Sequence, residues 1–279
     1  MTVTYVSKPP IWCAGCGHFG VLGALKTALQ QLEVPPAETM VLAGIGCSGS
    51  IQNNMGTYGY HALHGRVLPT AAGTALANPV LTVIAAGGDG DGYAIGAGHL
   101  VHAFRRNGAF AYVLMNNATY GLTKGQDSPT APLLSDDHRD QALDGVLLGL
   151  SIQASTFIAR AFTRRPDQLV RLTAAALAHA RSGAGFAFLE VLSPCVTYQD
   201  TYPAWDAEAF DFDEVEGYDP SDRAAAFTAC LEALEAGRVP TGLIYQGGPA
   251  SVVPDPGPAH TQLDGMTEDY QEIMGSYLV

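Results

Sequence analysis

The chain is expected to fold as an α/β protein on a doubly wound, mainly parallel sheet, and three observations carry that expectation. Val80–Ala86 (VLTVIAA) and Phe110–Met115 (FAYVLM) are short, almost wholly apolar and β-rich, the pattern of strands covered on both faces. Between them, Tyr93–Arg106 carries apolar residues at helical spacing through Ile95, Leu100 and Ala103, so strand, helix and strand make a crossover of βαβ length. A chain of 279 residues with 47% hydrophobic and 15% charged residues can bury one sizeable core.

The other elements follow in order. His18–Leu32 places Phe19, Leu22, Leu25, Leu29 and Leu32 on one helical face, and Val34-Pro35-Pro36 ends it. Thr39–Ala43 reads as a strand entering the turn Gly44–Gly49, and Arg66–Ala77 as a small-residue helix stopped at Asn78-Pro79. Tyr120–Leu134 is rich in Gly, Pro, Ser and Thr without an apolar period, which suggests a functional loop. Helices over His138–Leu150 and Pro166–Arg181 bracket a strand near Ser155–Ala161, and Phe186–Leu192 is the last clear strand. Beyond Ser193 one helix is expected at Ser221–Ala236, where Cys230 reads as a buried, inert thiol; the rest reads as an extended C-terminal tail. The expected division is an arm over 1–17, an α/β domain over 18–198, and an acidic extension over 199–279 that wraps a partner.

Charge narrows the function. The net charge is −13 with no basic cluster beyond Arg105-Arg106 and Arg164-Arg165, so no nucleic-acid footprint is present. From Asp200 onward the chain holds 16 of its 27 carboxylates against only Arg223 and Arg238. Met1–Pro10 lacks the apolar core of a signal peptide and no apolar run is long enough to span a membrane, so a cytoplasmic protein is expected.

Each of the paired apolar strands ends in a polar signature: Gly88-Asp89-Gly90 after the first and, 25 residues on, Asn116-Asn117 after the second. The carboxyl edge of a parallel sheet is where ligands bind, and Asp89 with an Asn carbonyl offers the hard oxygen donors that Mg²⁺ prefers. Either signature alone is a common turn or cap; the pair at this spacing points to a metal–diphosphate clamp. Of the cysteines at 13, 16, 47 and 195, two form a tight CxxC in Trp12–Gly17, one lies in a Gly-rich turn, and one follows Pro194 after a strand. Four thiolates from three loops suit one iron–sulfur cluster better than a zinc ribbon, which brings two CxxC knuckles. Gly44–Gly49 matches GxGxxG, yet no Asp or Glu occurs between Glu38 and Asp89 to grip a ribose, so a dinucleotide site is not supported. His61, His64 and Arg66 stand as candidate diphosphate contacts.

The GDG…NN pair resembles the thiamine-diphosphate motif, which implies that Asp89, Asn117 and the Thr119 carbonyl bind Mg²⁺. The ordered set WCAGCG, GIGCSG, HGR, GDGD, NNATYGLTKGQ and SPCVTY resembles the β subunit of 2-oxoacid:ferredoxin oxidoreductases over Trp12–Tyr198. That resemblance implies a thiamine-diphosphate-binding domain of the PP type, a [4Fe–4S] cluster on Cys13, Cys16, Cys47 and Cys195, and thiamine contacts from Ile45, Gly46, Cys47, Ser48, His64, Gly90, Asp91, Gly121 and Leu122. Lys124 is a candidate for the substrate carboxylate and His64 a candidate catalytic group. The implied reaction is coenzyme-A-dependent oxidative decarboxylation of a 2-oxoacid, or its reverse, with single electrons passing through the cluster to or from ferredoxin. The Gly121–Gln126 stretch with Ser128-Pro129-Thr130 resembles the 2-oxoglutarate or broad branch more than the pyruvate branch. An α or fused γα chain would supply the aminopyrimidine half of the site, in an α2β2-type hetero-oligomer, and ferredoxin would dock near the Arg-containing N-terminal half. The rival readings are a pyruvate or broad-range relative, a non-redox thiamine lyase or decarboxylase, an iron–sulfur electron-transfer or scaffold protein, and a zinc-structured module.

Overall fold

The computed structural model describes residues 3–131 and 141–248. An arm without regular structure leads in, anchored where the buried Tyr5 hydroxyl donates to the Val34 carbonyl. The elements then run α1 (His18–Gln31), β1 (Thr39–Ala43), β2 (Tyr58–His61), α2 (Val67–Ala77), β3 (Thr82–Gly88), α3 (Ala97–Arg106) and β4 (Ala111–Asn116). A short hairpin of β5 (Thr119–Tyr120) and β6 (Gln126–Asp127) follows, then α4 (Gly145–Leu150), β7 (Phe157–Phe162), α5 (Pro166–Arg181) and β8 (Ala187–Leu192). The chain closes its described part with α6 (Tyr202–Glu208), β9 (Ala209–Asp211), α7 (Arg223–Glu235) and β10 (Val239–Gln246).

Eight strands form one sheet in the order β2-β1-β3-β4-β8-β7-β10-β9, parallel throughout except where β10 runs antiparallel to β7. Alternate residues of the central strands enter two cores: Val41, Ile84 and Val113 meet α1 and α5, while Leu42, Ala85 and Leu114 meet α2, α3, α4 and α7. This double cover is why those strands are apolar at nearly every position. Local signals set the helix ends: Pro166 opens α5 with Asp167 in its first turn and Arg181 in its last, and the Asp222 side chain caps α7 through the Ala224 and Ala225 N–H groups. Among the described residues no helix is long and apolar enough to cross a membrane.

The expected mainly parallel α/β architecture is present, with four corrections. Residues 199–248 are no tail: they supply two strands to the same sheet and α7 to one of its faces. Pro240 and Gly242 disguised β10 in the sequence, yet Pro240 pairs only with the three-residue edge strand β9, where a missing N–H is tolerated. Ile95 is exposed, because a π-helical turn over Gly90–Ile95 shifts the phase of the helical face before α3 begins. Phe19 is also exposed and packs edge-on against Trp12 of the arm instead of on the sheet. Of the expected helix His138–Leu150, residues 141–144 are irregular and α4 begins only at Gly145, because the Asp144 side chain caps it through the Leu147 N–H; residues 138–140 and the tail beyond Gly248 lie outside the described residues.

Candidate functional site

The loops that leave β1, β2, β3, β4 and β8 all emerge at the carboxyl edge of the sheet, and every chemistry-bearing motif except the CxxC of the N-terminal arm sits on one of them. β3 ends in Gly87-Gly88, and Asp89 then starts the π-helical turn, which leaves Asp89 and Asp91 almost fully buried. Asp89 Oδ2 accepts from the Ser128 hydroxyl and lies 2.6 Å from Thr130 Oγ1, whereas Oδ1 faces the Asn117 N–H at a long 3.5 Å. Burial pushes the Asp89 carboxyl above the usual carboxylate range, against the hydrogen bonds from Ser128 and Thr130. A buried carboxylate with neutral partners and one nearly open oxygen suits a cation, which would replace the lost hydration.

Asp91 serves the neighbouring loops. Its Oδ1 accepts from the Ile45 N–H at 3.1 Å and the Gly65 N–H at 2.8 Å, and lies 2.7 Å from His64 Nδ1, so one carboxylate joins the turns after β1 and β2. Its Oδ2 is buried without a partner. Gly44 is required by this approach, since a Cβ there would stand 2.0 Å from that oxygen. After β4 the chain reverses through Ala118, held at φ 56° with its N–H donating to Asn116 Oδ1 at 3.0 Å. A non-glycine residue in this conformation stores strain, of the kind found at ligand clamps. The reversal presents Asn117 Oδ1, which accepts from the Thr119 N–H at 3.2 Å and keeps a second lone pair.

A cavity of about 180 Å³ opens between these turns. Asp89, Asn117 and Thr119 line it together with Ile45, Gly46, Cys47, Ser48, His64, Gly90, Asp91, Gly121 and Leu122. Arg66 and Lys124 are exposed and do not line it; Arg66 reaches only the Gly65 carbonyl, and Lys124 sits at φ 78° beside the rim. His61 is likewise exposed, its Nδ1 3.0 Å from the Gly49 carbonyl.

The thiols collect on the flank of this cavity. Gly15 at φ 85° closes the CxxC turn, in which the Cys16 N–H donates to the Cys13 carbonyl at 3.0 Å. Trp12 Nε1 donates to the Cys47 carbonyl at 2.8 Å, and the Gly17 N–H to the Pro194 carbonyl at 3.1 Å, so the arm is stitched to both other cysteine loops. His18 Nδ1 lies 2.7 Å from Ser193 Oγ, and burial lowers this ring to a pKa of about 4, which keeps it neutral. Burial pushes the Cys16 thiol up to about 11, with Cys195, Cys47 and Cys13 adding to the shift, and Cys47 is raised for the same reasons. The thiols are therefore electrostatically coupled, and a cationic centre would relieve them. Among the described residues no three Cys, His, Asp or Glu side chains converge on a single-ion position, so a zinc tetrahedron is not preformed. A cubane spreads its thiolates over separate irons and makes no such demand. A Cβ on Gly121 would lie 3.4 Å from Cys47 Sγ and 3.9 Å from Cys195 Sγ, which puts both thiols against the loop that lines the cavity.

Two sets of contacts at the site escaped the sequence reading. Ser128 and Thr130 hold Asp89 from 39 and 41 residues away, and no local pattern announces that. Glu190 and Arg160 pair beneath the site; here a signal existed, a single charge interrupting each of the apolar runs AFLEVL and FIARAF.

A mainly parallel sheet with a polar clamp at its carboxyl edge defines the class, a thiamine-diphosphate enzyme domain: residues 39–191 match the family model described as "Thiamine pyrophosphate enzyme, C-terminal TPP binding domain". Residues 195–252 match the family model for the C-terminal part of the pyruvate ferredoxin oxidoreductase beta subunit. The chain is 40% identical over 251 residues to the 2-oxoacid:ferredoxin oxidoreductase 2 subunit beta of Aeropyrum pernix, covering 84% of this chain and 79% of that protein. It is 39% identical to the 2-oxoacid:ferredoxin oxidoreductase subunit beta of Saccharolobus solfataricus, over 84% of this chain and 81% of that one. The 2-oxoglutarate oxidoreductase subunit KorB of Mycobacterium tuberculosis is 38% identical over 68% of this chain and 51% of its own length. A solved structure of the 2-oxoglutarate:ferredoxin oxidoreductase from Magnetococcus marinus, with 2-oxoglutarate, coenzyme A and succinyl-CoA bound, superposes with a TM-score of 0.81 at 34% identity, covering 97% of this chain and 89% of that one. The chain belongs to the β subunits of the 2-oxoacid:ferredoxin oxidoreductases.

Proposed function

We propose that this β subunit works on 2-oxoglutarate, holding the diphosphate end of thiamine diphosphate through Mg²⁺ beside a [4Fe–4S] cluster. One observation carries the reading: Cys47 lines the same cavity as Asp89 and Asn117, shares the Gly121 loop with Cys195, and is tied to the CxxC arm by the Trp12 indole. Thiamine diphosphate, when bound, supplies carbanion stabilisation next to a keto group, and a cluster at this distance would accept electrons one at a time. Asp89 Oδ1, Asn117 Oδ1 and the Thr119 carbonyl would hold the cation; Ser128 and Thr130 fix the Asp89 carboxylate so that its open oxygen faces the cavity. Asp91 keeps the Ile45 and Gly65 loops closed, and His64, held at Asp91 on the cavity lining, would contact the phosphates.

The substrate is argued from relatives. Several named 2-oxoglutarate synthase or oxidoreductase subunits match, and the superposed oxidoreductase holds 2-oxoglutarate and coenzyme A. The cavity is smaller than the roughly 300–1,000 Å³ of whole-ligand pockets, which supports a partner α chain that completes the site around the aminopyrimidine. Cys13 is exposed, so electrons would leave toward ferredoxin at the N-terminal arm.

The test is to co-purify the chain with its partner without oxygen and follow coenzyme-A-dependent ferredoxin reduction with 2-oxoglutarate and with pyruvate. A higher kcat/KM for 2-oxoglutarate is expected. A preference for pyruvate would overturn the substrate assignment, and no reduction with any 2-oxoacid would overturn the reading as a whole.

A further inference from the structure

Both turns of the clamp hang on one buried carboxylate that belongs to neither. Glu190 lies within β8 at 1% exposure, and its Oε1 accepts from the Tyr93 hydroxyl at 2.9 Å and from Asn116 Nδ2 at 3.0 Å. Tyr93 sits on the π-helical turn that Asp89 begins, and Asn116 immediately precedes Asn117. Glu190 Oε2 accepts from Arg160 Nε at 2.5 Å, its partner in register on β7. Arg160, 3% exposed, also donates to Asp144 Oδ2 at 2.5 Å, and Asp144 caps α4 by accepting from the Leu147 N–H at 2.8 Å. On the other side, Asn116 Oδ1 lies 2.8 Å from Thr130 Oγ1, which lies 2.6 Å from Asp89 Oδ2. A continuous polar chain therefore runs from Arg160 to the cation end of the site.

Stability does not account for this arrangement, because the cost of desolvating a buried ion pair usually offsets its attraction, and apolar replacements are often as stable. Geometry does account for it. One oxygen receives a donor from each half of the clamp, and the other oxygen is charge-balanced from below. We infer that Glu190 is a positioning residue: it fixes the separation of the Asp89 turn from the Asn117 turn and so preforms the cation site, with Arg160 holding it in orientation. This rests on the metal–diphosphate reading above. Gln is nearly isosteric at position 190 but has one acceptor oxygen. Facing Tyr93 and Asn116 with that oxygen would turn its NH₂ on Arg160, and the reverse orientation would turn the NH₂ on the clamp.

The experiment uses the chain co-purified with its partner subunit, with Mn²⁺ as the divalent probe, titrated in the presence of thiamine diphosphate and read by electron paramagnetic resonance of the free ion. Glu190→Gln is expected to weaken Mn²⁺ binding by about 10–100-fold, the range seen when groups that orient metal ligands are changed. Tyr93→Phe should weaken it in the same direction by less, and Leu172→Val, a core change on the opposite face, should leave it unaltered. Unaltered affinity in both Glu190→Gln and Tyr93→Phe would overturn the inference, as would an equal loss in Leu172→Val, which marks general loosening. If Glu190→Gln does not fold, Tyr93→Phe, which removes one hydroxyl, decides alone. A wild-type complex that binds no Mn²⁺ with thiamine diphosphate would instead overturn the cofactor reading underneath.

Discussion

Asp89 shows how a residue's neighbours decide what its chemistry is for. The same side chain on a surface would be a solvated charge; here it is buried, raised in pKa by that burial, and supplied with hydroxyl donors on one oxygen only. Asp89→Ala is expected to abolish thiamine diphosphate retention in the presence of Mg²⁺. Ser128→Ala and Thr130→Ala should each weaken it by about tenfold, measurable by calorimetry on the complex. The raised Cys16 and Cys47 thiols give a second expectation, because ligation needs thiolates: cluster reconstitution should release protons and become less favourable as pH falls, which a pH-stat records. Asp89, Asn117 and the cysteines were legible in the sequence because their residue types are demanding and their flanks announce strand ends. Arg66 and Lys124 looked equally suitable by type, yet their side chains stay outside the cavity lining. Ser128, Thr130 and Glu190 could not be assigned their contacts, since Ser128 and Thr130 reach Asp89 across 39 and 41 residues of chain and Glu190 reaches Asn116 across 74.

Among the elements, β1 and α5 have the bounds their patterns predict, because apolar period, Pro166 and the flanking breakers agree there. Where two signals conflict, sequence reading fails. β10 carries buried Thr241 and Ile244 but also Pro240 and Gly242, so it passed for tail; its register against Arg160 and Ala159 of β7 was invisible. That strand covers a flank that would otherwise be an edge. A chain stopped after Gly237 is expected to leave the FIARAF strand unpaired on that side and to aggregate, as seen by size-exclusion chromatography. A soluble monomeric product with unchanged circular dichroism would show that β10 is dispensable.

As a whole, the molecule brings an acidic chain's few histidines and thiols into a fold whose stability should depend on acid. Burial lowers both His18 and His179 to a pKa of about 4, so between pH 6.5 and 4 the unfolded state takes up protons that the folded state refuses. Stability is thus intact above about pH 6.5 and is lost as pH falls toward 4, by up to about 3 kcal/mol for each ring. Thermal melts from pH 7 to 4.5 should show that fall, and a flat profile would contradict neutral burial of these rings. At the same scale, the open carboxyl-edge cavity and its thiol flank make the chain read as half of a redox site. The direct measurement is the iron, acid-labile sulfide and thiamine diphosphate content of the complex purified without oxygen. The account predicts about four iron, about four sulfide and about one thiamine diphosphate per chain, with the iron but not the thiamine diphosphate lost in Cys13→Ser/Cys16→Ser. Thiamine diphosphate bound without iron, or a single zinc in its place, would contradict it.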